Sequence, residues 1–142
     1  MSAQTYVRWF ENIRLKDVAA VGGKTASLGE LYSLLGDRVP DGFALTAQAY
    51  RGAIAEAGVE GELRLLLSGF NHHDVKLLDE RAAAARRLVY EATDTARLRE
   101  EITAAYRALE QKCGAKVAVA VRSSATAEDL PTASFAGQHE SF

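Results

Sequence analysis

Two short segments carry residue types that could grip an anion. In Gly22-Gly23-Lys24-Thr25 the glycines allow close approach of the main chain, and Lys24 adds a full positive charge. A helix predicted to start at this point turns its unpaired amides and positive dipole end towards the same loop. This chemistry suits a phosphate. The Gly-Lys-Thr ending invites a P-loop, but that motif needs a glycine at position 18, where the chain has Val18. Val18-Ala19-Ala20-Val21 is too apolar for such a cradle, and the P-loop is rejected. Taken alone, Gly-Gly-Lys reads equally as an ordinary helix start with a solvated lysine.

Arg122 follows the apolar run Val117-Ala118-Val119-Ala120-Val121 and is expected to be partly buried, where a guanidinium needs an anionic partner. A polyphosphate matches its planar fork. An ion pair with Glu128 or Asp129 satisfies it as well, and is the commoner outcome for an isolated arginine. Beyond it lie the hydroxyls of Ser123, Ser124, Thr126, Thr132, Ser134 and Ser141, and Gly137, which could admit a phosphate close to main-chain amides. A hydroxyl-rich segment of this kind is, by itself, more often just a loop. His72, His73 and His139 have no Cys, Asp or Glu at metal-ligand spacing and read as exposed. No Ser-His-Asp arrangement is supported.

The elements that must position these residues alternate in type. Tyr6 to Phe10 is β-branched and aromatic, a first strand. Leu28, Leu31, Leu34 and Leu35 recur at helical spacing from Thr25 to about Gly36. Pro40-Asp41-Gly42 is a turn, Phe43-Ala44-Leu45 a short strand, and Thr46 the N-cap of a helix over 47–57 that stops at Gly58. Three further helices are predicted: Glu60 to Leu67, a second capped by Asp74 and running to about Glu91, and a third from Asp94 to Cys113-Gly114. The last two read as packing material, with Leu98, Ile102, Ala105, Tyr106 and Leu109 turned inward on the third. The run 117–121 is apolar on both faces, as a central, doubly covered strand would be.

Composition narrows the function class. The chain has 142 residues, 48% hydrophobic and 25% charged, with net charge −2. That is enough for one domain with a core, without the generally basic surface expected for nucleic acid. Its start lacks the pattern of a secretory signal, and no apolar stretch reaches the roughly 20 residues that cross a bilayer. The single cysteine, Cys113, permits neither an internal disulfide nor a thiolate cluster. A cytoplasmic protein without membrane or nucleic-acid partners is expected. The polar and aromatic run up to Phe142 reads as a cut in a longer domain.

Set in order, the segments resemble a known family. They are Val21-Gly22-Gly23-Lys24-Thr25-Ala26-Ser27-Leu28-Gly29-Glu30-Leu31, Val39 to Thr46, Ala120-Val121-Arg122-Ser123-Ser124-Ala125-Thr126-Ala127-Glu128-Asp129-Leu130-Pro131, and Ala133-Ser134-Phe135-Ala136-Gly137-Gln138. Together they are similar to the N-terminal nucleotide-binding domain of phosphoenolpyruvate synthases, which is shared with pyruvate phosphate dikinases and rifampicin phosphotransferases. The resemblance spans about Trp9 to Phe142. It implies an α+β, ATP-grasp-like fold, helix-rich with a small mixed sheet, of which residues 1–142 are the N-terminal portion. It assigns ATP phosphates to Lys24 and Arg122, and places Gly137 and Ser141 at the nucleotide. At position 141 the family often has threonine, and serine keeps the hydroxyl.

The resemblance further implies a phosphoryl transfer from ATP to a histidine on a swivelling domain, then to pyruvate, giving phosphoenolpyruvate. Splitting the transfer through a covalent intermediate lets distant sites cooperate. Mg²⁺ would accompany ATP, on acidic ligands outside these residues. No catalytic residue and no metal ligand is assigned here, and none of the three histidines has the context of the phosphorylated one. The chain by itself is expected to be inactive. Two alternatives stay open: the ATP-binding domain of a rifampicin phosphotransferase, whose acceptor is a drug hydroxyl, and a non-catalytic nucleotide-binding module.

Overall fold

The computed structural model describes residues 6–69 and 74–126. The chain divides into two compact units, one of Met1–Ala49 with Glu100–Phe142 and one of Tyr50–Arg99. Among the described residues the elements are β1 (Val7–Trp9), α1 (Val18–Val21), α2 (Gly23–Leu35), β2 (Phe43–Leu45), α3 (Ala47–Ala57), α4 (Glu60–Leu66), α5 (Val75–Thr93) and α6 (Ala96–Cys113), with short 3-10 turns at Phe10–Asn12, Leu15–Asp17 and Gly36–Arg38. The class is α+β and helix-rich. The expected small mixed sheet is, among the described residues, a two-stranded antiparallel one.

In the first unit β1 pairs with β2 in the register Val7↔Leu45, Arg8↔Ala44 and Trp9↔Phe43. The facing Trp9 and Phe43 rings sit 5.5 Å apart at 59°, a tilted aromatic pair of the kind that fixes strand register. Ile13, fully buried, forms the core with Val21 and Ala26, and Phe10, Val18, Ala20 and Ala44 close round it. Helix α2 reaches this core through its small residues. Gly23, Thr25, Ala26 and Gly29 are buried, whereas Leu31, Leu34 and Leu35 are 44%, 71% and 47% exposed. The leucine spacing therefore located the helix but not its buried face. Close approach decided the face: a Cβ on Gly29 would meet the Ile13 Cβ at 2.6 Å and its carbonyl oxygen at 2.7 Å.

Polar ties hold the segment that enters α2. Asp17 accepts from the Arg14 amide at 2.9 Å and pairs with Arg8 at 3.3 Å. Glu30, on α2, accepts from the Leu15 amide at 3.1 Å. The Arg14 amide above all holds the Asp17 carboxyl below its ordinary pKa; partial burial opposes this and the Arg8 charge reinforces it.

The far end of α6 is fixed to the same sheet. Lys112 bonds Asp41 at 3.2 Å and lies 3.9 Å from Glu11, with its ammonium 4.3 Å above the Trp9 ring. Burial opposes the Lys112 charge, but the hydrogen bond and charge of Asp41, with Glu11, leave its pKa raised. The same Asp41 carboxylate raises the Tyr32 phenol. Past α6 the chain turns at Gly114 and Lys116, which has φ +58°. Glu110 accepts from the Lys116 amide at 2.9 Å, and the Tyr106 hydroxyl donates to the Val117 carbonyl at 2.8 Å.

The run Val117–Val121 departs from expectation. Only an isolated bridge at Arg122 is seen there, and Val119 and Val121 are 47% and 60% exposed. A strand apolar on both faces needs ladder partners and covering layers, and no neighbouring strand runs beside it among the described residues.

The second unit is helical, and α4 packs on α5. Asp74 caps α5 by accepting from the Leu77 amide at 3.0 Å, as expected. The cap of α6 is Thr95, whose hydroxyl accepts from the Leu98 amide at 3.2 Å. Asp94, expected in that role, pairs with Arg99 at 3.1 Å instead. Ala53, Ile54, Ala85, Ala92 and Leu98 are buried. Ile102, expected inward on the part of α6 that belongs to the first unit, is 37% exposed, and Ala105 and Leu109 are buried. No helix among the described residues is long and apolar enough to cross a membrane.

Two variants test this account. Gly29→Ala should lower stability by about 1–3 kcal/mol in urea unfolding, because the Ile13 main chain cannot yield to the new methyl group. Asp17→Asn should cost about 1 kcal/mol at pH 7. Because the folded pKa is depressed, that stabilisation exists above the unfolded value near 3.8 and fades as pH falls through the folded one. Unfolding curves of the two proteins should therefore converge only on acidification through the folded pKa, below 3.8.

Candidate functional site

The site begins with a backbone that only glycine tolerates. Gly22 ends α1 and starts α2, with φ +81° and ψ 163°. Its amide closes α1 on the Val18 carbonyl at 2.8 Å, and its carbonyl accepts from Ala26 at 3.0 Å to open α2. The chain therefore breaks between two helices at one residue, which aims the first turn of α2 at a separate segment.

That segment is the one that carries Arg122. Gly23 donates its amide to the Ala125 carbonyl at 3.3 Å. A Cβ on Gly22 would overlap the Ser124 hydroxyl and come within 3.0 Å of both the amide nitrogen and the carbonyl oxygen of Ala125. The two motifs picked out in the sequence thus touch, although most of the chain separates them.

Lys24 follows directly on Gly23 in the first turn of α2 and is half-buried. Arg122 precedes Ser124 by two positions. It is exposed rather than partly buried, because the apolar run before it lies uncovered. It makes no ion pair with an acid among the described residues; Glu128 and Asp129 lie outside them, as do Gly137, Ser141, His72, His73 and His139. The α2 start combines a lysine, a helix dipole and first-turn amides next to an arginine-bearing segment, a combination that attracts and orients a multiply charged anion. One first-turn amide, that of Gly23, is already taken by Ala125.

Two features escaped the sequence reading. The Ser124 side chain was one hydroxyl among several, and nothing local distinguished it. The bond from Gly23 to Ala125 joins residues distant in the chain, which periodicity and spacing do not register. Gly22 was legible, since a glycine pair at a helix start signals an unusual backbone. Among the described residues no three His, Cys, Asp or Glu side chains gather to hold a metal ion.

Comparison with known proteins decides the family. The model of the pyruvate phosphate dikinase AMP/ATP-binding domain matches residues 18–142. This chain belongs to that family. It is 47% identical over 144 aligned residues to a phosphoenolpyruvate synthase of Neisseria meningitidis serogroup B, covering 99% of this chain and 18% of that protein. A phosphoenolpyruvate synthase of Pseudomonas aeruginosa is 48% identical over 140 residues, covering 96% of the chain and 18% of that protein. A probable phosphoenolpyruvate synthase of Methanocaldococcus jannaschii is 45% identical over 138 residues, 96% of the chain and 12% of that protein. The chain thus spans less than a fifth of the length of these relatives.

Gly22→Ala should disturb both motifs together. The methyl group would collide with Ser124 while holding a conformation essentially reserved to glycine, a strain of about 1–3 kcal/mol. Hydrogen exchange should show faster exchange at the Gly23 amide, with little change at Leu77 on the Asp74 cap.

Proposed function

We propose that this chain supplies one lobe of an ATP site in an ATP-grasp-like domain, with Lys24 and Arg122 holding the phosphates and Gly137 and Ser141 at the nucleotide. The observation that carries the reading is the junction of the α2 start with the Ser124–Ala125 segment. It sets the lysine-bearing turn beside the arginine-bearing one in a chain whose family is the AMP/ATP-binding domain.

Lysine contributes a compact charge that can follow a phosphate chain, and arginine contributes a planar fork able to bridge two of its oxygens. Their work is to bind and orient the nucleotide and to offset the negative charge of the transferring group. Bound Mg²⁺ would add further neutralisation. The described residues do not gather a metal site.

In the complete protein the phosphoryl group passes from ATP to a histidine nitrogen on a swivelling domain, and from there to the enol oxygen of pyruvate. The pyruvate acceptor is favoured over a drug hydroxyl because the matched relatives carry phosphoenolpyruvate synthase names. A cytoplasmic location fits this chemistry. Residues 1–142 then hold half of a binding site and neither the histidine nor the pyruvate site.

ATP titration of the full-length protein tests the assignment. Lys24→Ala and Arg122→Ala should each weaken ATP about tenfold or more, as loss of a charge-assisted contact to phosphate does. Equal affinity in both variants and the parent would refute it. The isolated 142-residue chain should form no phosphoenolpyruvate from ATP and pyruvate; turnover by it would show that these residues hold more of the machinery than one lobe.

A further inference from the structure

We infer that the Ser124 hydroxyl is a further phosphate donor of this site, one that gains its partner only when the nucleotide is bound. The inference rests on the ATP reading above. The Ser124 oxygen is buried and has no hydrogen-bond partner among the described residues. An unpaired buried hydroxyl is unfavourable and uncommon in native proteins, so its presence calls for a reason. Packing alone supplies none, since alanine would fill the same place without an orphaned polar atom.

Location supplies one. The oxygen occupies the space that a side chain on Gly22 would fill, against the start of α2 and between the segments that carry Lys24 and Arg122. The residue as a whole is only half-buried although its oxygen is covered. A rotation about χ1, a fast motion between staggered wells, would carry the hydroxyl off the Gly22 backbone. There the O–H can donate to a phosphoryl oxygen, which brings several strong acceptors to a segment where the described residues offer this hydroxyl none.

Ser124→Ala in the full-length protein separates this role from a structural one. Removing an orphaned hydroxyl should leave the melting temperature unchanged or raised. Titration should show ATP affinity lowered about tenfold and adenosine affinity unaltered, because only the phosphates lose a contact. If ATP binds Ser124→Ala as it binds the parent while Lys24→Ala weakens it, the Ser124 inference fails and the ATP reading stands. If neither variant changes ATP affinity, the ATP reading fails and the inference with it. A lowered melting temperature with equal loss for ATP and adenosine would make Ser124 a packing residue and overturn the proposal.

Discussion

The close approach at Gly22 is the constraint on which the rest of the site depends. Its backbone angles belong to glycine, and the space beside its Cα is filled by Ser124 and Ala125. Any side chain would separate the two segments while straining the break between α1 and α2. One missing Cβ therefore does two tasks. It lets the chain redirect a helix, and it lets a remote segment lie against that helix's first turn.

Holding such a contact requires both partners to be anchored behind it. On the helix side, α2 is pressed onto Ile13 through Gly29 and tied to Leu15 by Glu30. On the other side, α6 is clamped by Lys112 to Asp41 and over Trp9, and the turn after it is gripped by Glu110 and Tyr106. Trp9 links the α6 clamp to the strand pair, since it also packs on Phe43. The charged contacts are half-exposed and individually modest. Their effect is geometric: they bring the run leading to Arg122 off the same sheet that borders the core beneath α2.

The run Val117–Val121 has no strand beside it among the described residues. It is apolar enough for a sheet interior, yet Val119 and Val121 face solvent. This chain spans less than a fifth of the length of the relatives it matches. The exposure of Arg122 goes with that of the run before it. Its burial was inferred from the apolar residues before it, and those residues are themselves uncovered.

Local chemistry was legible wherever it was self-contained. The strand Phe43–Leu45, the Thr46 and Asp74 caps, the helix 47–57 and the stop at Gly36 follow from turn residues, capping hydroxyls and carboxylates, and propensity, all of which act within a few positions. The motifs at Gly22–Lys24 and Arg122–Ala125, in order with the others, were legible as a family. Tertiary structure decided the rest. It chose the small face of α2 over its leucines because backbone approach to Ile13 outweighs side-chain size. It moved the α6 cap from Asp94 to Thr95, where the hydroxyl reaches the Leu98 amide. It joined Gly22 and Gly23 to Ser124 and Ala125, because a hydrogen bond and an excluded Cβ between distant residues exist only once the chain has folded.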